Sequence, residues 1–202
     1  MEVSVLVVAH NEEKNIARCL DSLLGQSYKP NEIIVIAHNC SDGTEGIVRQ
    51  YKTIRLVSYN NAPEGVIHSR IRGFEEARGE IVACIDGDCI AQEDWLLNLI
   101  KPFDNISVSA AGGFVYLKDS LISWFVSYDF FFWSRLYRPC YRFYFWGANF
   151  ACRRSDYLKV GGLEPLVVLK KKLNLHYWAD DLYLSLMLSR IGRVVFAPTS
   201  RG

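Results

Sequence analysis

Three short apolar runs constrain this chain more than any other feature: Val3 to Val8, Ile33 to Ala37 and Ile81 to Ile85. Each is too short for a buried helix, is rich in β-branched residues and lacks the polar alternation of a strand with one wet face. Such runs read as strands covered on both sides. Between them lie stretches with helical periodicity. Glu12 to Leu24 carries Ile16, Leu20, Leu23 and Leu24 on one stripe with Asn11 as its expected N-cap, a short helix ends near Tyr51, and Gly65 to Ala77 forms a third. With Leu56 to Tyr59 as a further strand, the pattern predicts an α/β fold. It has a mostly parallel central sheet, right-handed crossovers and helices on both faces.

Beyond Asp88 the order loosens. A helix is expected over Glu93 to Phe103, with Glu93 and Asp94 in its first turn, and a strand over Val108 to Leu117 containing Gly112-Gly113. Gly147 to Cys152 reads as a strand, followed by a short helix stopped by Gly161-Gly162. Glu164 to Tyr177, with Lys170-Lys171-Lys172 and little periodicity, reads as a loop over a site. Asp180 to Ile191 is expected to be an amphipathic helix with Leu182, Leu186 and Met187 on its stripe, and Val194 to Ala197 a last strand. At 202 residues this is one domain. Residues 1–90 form an expected nucleotide-binding half and residues 91–202 an acceptor-binding half.

The charge balance, 23 basic against 22 acidic residues, gives no electrostatic footprint for nucleic acid. Six cysteines without a C-x-x-C pair read as reduced core thiols, and Met1-Glu2-Val3-Ser4 lacks the flank of a cleavable signal peptide. No segment reaches the ~18 apolar residues of a membrane span. The expected compartment is the cytoplasm, at the cytoplasmic face of a membrane if the next feature touches lipid. Between residues 121 and 146, thirteen aromatic side chains interleave with Arg135, Arg138 and Arg142. They read either as a core-filling aromatic face or as a peripheral membrane contact.

The chemistry centres on Asp86-Gly87-Asp88, which follows the third buried run. Strand alternation places both carboxylates on one side, with Gly87 removing a side chain that would crowd them. Two oxygen arms without His or Cys suit Mg²⁺ or Mn²⁺. A second acid pair, Asp180-Asp181, opens the last helix; alone it reads as dipole complementation, and together with the first it describes metal-assisted group transfer with a separate base. Neither G-x-G-x-x-G nor a P-loop follows any strand.

Five segments in this order resemble the family 2 glycosyltransferases, inverting enzymes of the glycosyltransferase A-type fold. They are Val7 to Glu13, Ile36 to Thr44, Ser69 to Glu80, Asp86-Gly87-Asp88, and Gly147 to Gly162 followed by Asp180-Asp181. The resemblance implies a nucleotide-sugar donor and a saccharide or lipid-linked acceptor. It places Ala9, His10 and Glu12 at the nucleoside pocket, Arg70 at the diphosphate, Asp86 at ribose and metal-bound phosphate, and Asp88 on the metal. Asp181 matches the base that takes the acceptor's proton; Asp180 replaces the family's usual Glu and stays open as that base. His38 stands where an Asp commonly reads the nucleobase, which leaves the nucleoside open. The Gln-x-x-Arg-Trp motif of processive members is absent, and a C-terminal continuation into membrane helices is an open expectation. A nucleotidyltransferase and a non-catalytic sugar-nucleotide-binding subunit are the alternative readings.

Overall fold

The computed structural model describes residues 1–115, 145–174 and 180–201. The buried runs form the strands expected of them: β1 (Val3–Ala9), β2 (Glu32–His38), β3 (Arg55–Tyr59) and β4 (Ile81–Asp86). They are joined by α1 (Ile16–Leu24), α2 (Thr44–Val48) and α3 (Val66–Glu76). Then come α4 (Trp95–Ile100) with a 3₁₀ turn at Lys101–Asp104, β5 (Val108–Phe114), β6 (Asn149–Arg153), α5 (Arg154–Lys159), α6 (Glu164–Leu173), α7 (Asp180–Leu188) and β7 (Arg193–Arg201).

The seven strands form one sheet in the order β3-β2-β1-β4-β6-β5-β7. β1 pairs in parallel with β2 and β4, as β2 does with β3 and β5 with β7. β6 is antiparallel to both of its neighbours. The chain builds outward from β1 through β2 to β3 and then returns to lay β4 on the other side of β1. The carboxyl ends of β1 and β4 therefore flank a switch point, where such sheets hold ligands. Antiparallel β6 brings its own start to that edge, because Asn149 pairs with Ile85 at the end of β4.

Alternation sorts each strand between two cores. Val5, Val7, Ile33, Val35, Ala83 and Ile85 face α1 and α4, whereas Leu6, Val8, Ile34, Ile36, Val82 and Cys84 face α3, α5 and α7. Each fully buried aliphatic side chain contributes roughly 1.5–3 kcal/mol.

Several elements differ from the sequence reading. α1 begins at Ile16 with Asn15 at its cap position and no side-chain cap bond. Asn11 is not the cap: its backbone is left-handed (φ 57°) and its side-chain carbonyl accepts from Ser41 N at 2.8 Å. Asp94 stands before α4 and accepts from Ser27 Oγ at 2.6 Å. Residues 164–173 are helical instead of a loop, because Leu166 finds a place in the second core and Pro165 suits a first helical turn. In α7 the buried positions include Leu184, Ser185 and Leu188, while Leu182 is exposed. That helix is apolar nearly all round, so periodicity could not select its inner face.

Gly161 and Gly162 end α5 as expected, both with positive φ, and a Cβ on Gly162 would lie 2.8 Å from the Tyr157 ring. Cys19, Cys40, Cys84, Cys89 and Cys152 are free thiols. Cys140 and the aromatic stretch up to residue 144 lie outside the described residues, so neither reading of that stretch is addressed. No described helix is long and apolar enough to cross a membrane.

Candidate functional site

A cleft of about 620 Å³ opens at the carboxyl ends of β1, β2 and β4, closed on one side by the start of α3. Asp86 and Asp88 both line it. They do so for a reason other than strand alternation: β4 ends at Asp86, and Gly87-Asp88 is a turn in which Gly87 N donates to Val8 O at 2.8 Å. Gly87 is needed on its inner side. A Cβ there would meet Ala9 Cβ at 3.1 Å, Val8 O at 3.2 Å and Ile16 Cδ1 at 3.3 Å. The small residue lets the acid turn sit tightly against β1.

Burial raises the pKa of Asp86 above the ordinary carboxylate value; the Arg70 guanidinium opposes this, and the nearby charges of Asp88 and Asp180 add to it. Asp88 is exposed. The pair thus concentrates negative charge at the cleft wall.

Arg70 lies beneath that wall. It is 4% exposed, donates from one terminal nitrogen to Asp86 Oδ1 at 3.4 Å and from the other to Asp180 Oδ2. Burial alone would lower its pKa, but the carboxylates of Asp180 and Asp86 outweigh that and raise it. Gly147 passes directly over the guanidinium, where a Cβ would come within 2.5 Å of a terminal nitrogen. The resemblance implied an Arg70 that approaches a diphosphate; the structure places its guanidinium between two carboxylates, where it joins the acidic clusters.

Asp180 and Asp181 are thereby separated. Asp180 is 5% exposed and engaged with Arg70. Asp181 is half-buried, accepting from Gly147 N at 3.3 Å and Leu182 N at 2.7 Å. Trp146, which precedes Gly147, and Leu182, which follows Asp181, are each 46% exposed.

At the other end of the cleft stand His10 and Glu12 from the loop after β1, and His38 at the end of β2. His10 Nδ1 donates to His38 O at 2.7 Å, which turns Nε2 to the other side of the ring, 3.5 Å from Asn11 Nδ2. His38 is 5% exposed, its Nδ1 is 2.7 Å from Ser69 Oγ, and burial lowers its pKa, with His10 and His68 acting in the same direction. Glu12 holds the loop, its N–H donating to Thr44 Oγ1 at 2.7 Å. Ala9 is 1% exposed and belongs to the α1 core, so Val8 lines the cleft in its place.

Asn39, Gly65 and Ser69 also line the cleft and were not singled out from the sequence as site residues. Two carried a readable signal. Asn39 (φ 46°) and Gly65 (φ 106°) occupy left-handed or glycine-favouring backbone, as Asn and Gly do where a strand or loop turns sharply.

Residues 4–161 match the sequence family described as glycosyl transferase family 2. The chain belongs to that family. Among curated relatives, glycosyltransferase AglE of Haloferax volcanii is 32% identical over 120 residues, covering 55% of this chain and 38% of that protein. The glucosyl-dolichyl phosphate glucuronosyltransferase of the same organism is 26% identical over 178 residues, covering 81% and 56%. The family 2 chain thus spans about half the length of these relatives or less. The mannosyltransferase PcManGT from Pyrobaculum calidifontis, solved with GDP-Man and Mn²⁺, superposes with a TM-score of 0.71 at 22% identity, over 99% of this chain and 55% of that one. Glucosyl-3-phosphoglycerate synthase from Mycobacterium tuberculosis, solved with Mn²⁺, UDP and glucosyl-3-phosphoglycerate, gives 0.63 at 20% identity, over 98% and 70%. These neighbours share the glycosyltransferase A-type fold.

The donor set of this family 2 chain fits a divalent cation. Asp86 and Asp88 offer carboxylate oxygens on the cleft, and no cluster of three or more His, Cys, Asp or Glu ligands occurs among the described residues. A hard cation held by two carboxylates completes its shell with water and phosphate oxygens, the arrangement usual for Mg²⁺.

Proposed function

We propose that the chain is a metal-dependent, inverting glycosyltransferase that moves a sugar from a nucleoside diphosphate donor to an acceptor hydroxyl. The observation that carries this reading is the shared guanidinium: Arg70 ties Asp86 of the first acidic cluster to Asp180 of the second. Residues far apart in sequence thereby form one polar wall.

Asp88 and Asp86 would hold Mn²⁺ or Mg²⁺, which supplies positive charge for a leaving diphosphate. Neighbouring strands stand about 4.8 Å apart, so β4 and β2 are separated by roughly 10 Å, a span suited to a nucleotide with its phosphates at Asp88 and its base toward His10 and His38. Residues 1–90 supply this donor side and residues 91–202 the acceptor side. Asp181, free of the Arg70 pairing, is the base: it takes the acceptor hydroxyl proton as the oxygen bonds to the anomeric carbon. The bond from that carbon to the diphosphate oxygen breaks, and its electron pair leaves with the nucleotide. Arg70 and Asp180 are positioning residues that hold Asp86 and the start of α7. Trp146 and Leu182 offer the acceptor an apolar rim beside the base, which favours a saccharide face or a lipid-linked sugar.

Calorimetric titration of UDP, GDP, CMP and dTDP, with and without Mn²⁺, tests the donor side. Metal-dependent binding of one nucleotide, weakened at least ~10-fold in Asp88→Ala, is expected. Absence of metal-dependent binding for all four would overturn the reading. Release of pyrophosphate instead of a nucleoside diphosphate would identify a nucleotidyltransferase, and nuclear magnetic resonance of the product's anomeric centre tests inversion.

A further inference from the structure

α6 is apolar on more sides than its place in the fold uses. Leu166 is buried and Val167 half-buried against the second core. At 100° per residue, the side turned away from Leu166 and Val167 carries Lys171, Glu164, Val168, Lys172, Pro165 and Leu169 in angular order. Leu173 falls two turns on from Leu166, at the exposed end of the helix. Val168 is 67% exposed, Leu169 42% and Leu173 55%, and both lysines are exposed.

We propose that this outer face of α6 docks on an anionic lipid bilayer. The charge is complementary: Lys171 and Lys172 stand on this face in the last turn, a helix length from its one acid, Glu164, in the first, while Lys170 falls on the inner side and is half-buried. Composition separates a bilayer from a protein partner. Protein interfaces are enriched in aromatic residues, Met and Arg and depleted in Lys, whereas aliphatic side chains beside lysines suit the boundary between headgroups and acyl chains. The lysine stems lie along that apolar surface and keep their ammonium groups among the phosphates. With ten residues the helix is too short to span a bilayer, which takes about 20, so it lies in the plane of the interface.

Co-sedimentation of the chain with vesicles tests this. Phosphatidylcholine vesicles containing phosphatidylglycerol are expected to pellet the wild type several-fold more than phosphatidylcholine alone, and added salt to reverse the difference. The Lys171→Glu/Lys172→Glu and Val168→Gln/Leu169→Gln variants are expected to lose most of that binding while keeping the wild-type circular dichroism spectrum. Equal pelleting by both vesicle types, or undiminished binding by both folded variants, would overturn the proposal. Retention on immobilised polyglutamate without vesicle binding would assign the face to an acidic protein and overturn it as well. None of these outcomes depends on glycosyl transfer, so failure here leaves the test of the donor site intact.

Discussion

Asp180 and Asp181 are chemically identical neighbours with opposite surroundings. Asp180 is taken up by the buried Arg70 guanidinium, whereas Asp181 accepts one backbone N–H on each oxygen and keeps the remaining lone pairs for an acceptor hydroxyl. Asp181→Asn is expected to lower the transfer rate by ~10²–10⁴-fold with nucleotide binding unchanged, read from initial rates beside calorimetry. His38 gives a pH signature. Its folded pKa lies below the ordinary value of 6.5, so the unfolded chain takes up the proton first. The stability it contributes is complete above pH 6.5 and declines as pH falls from there through the folded pKa. Urea unfolding across that window is expected to show a shallower acid loss in His38→Gln than in the wild type.

Elements meet here through glycines as much as through side chains. Gly113 of β5 faces the backbone of β7, and a Cβ on it would lie 2.2 Å from Ser200 O. Glycine inside a strand commonly marks such a close approach. Gly113→Ala is expected to cost about 1–3 kcal/mol, seen as a lower urea midpoint with an unchanged slope. Of the helices, α6 was hidden in the sequence because three consecutive lysines and a proline obscure its period, and its burial rests mainly on Leu166. The Asp86-Gly87-Asp88 turn was legible as chemistry, but its geometry was not. Gly87 answers to Ala9, Val8 and Ile16, residues distant in sequence that only the packed β1–α1 layer brings against it.

Across the whole molecule, Asn149 joins the two halves of the sheet. It is fully buried; its Oδ1 accepts from Trp95 Nε1 at 2.8 Å and its Nδ2 donates to Phe114 O at 2.8 Å and Ser200 O at 3.3 Å. It thus links β5, β6, β7 and α4 two residues from Gly147, whose N–H donates to the candidate base. Asn149→Ala is expected to destabilise the chain by about 3 kcal/mol, because it leaves buried donors and acceptors unpaired. A lower melting temperature measures it. The sequence by itself determined the parallel strands and their helices, since local periodicity and β-branching suffice to define buried strands. It also determined the acidic motifs, since their residue types carry the chemistry. The tertiary structure decided the reversal of β6, the inner face of α7, the pairing of Arg70 with both acid clusters and the different environments of Asp180 and Asp181. Those depend on contacts between distant segments, and no local pattern encodes which partner a buried charge will find.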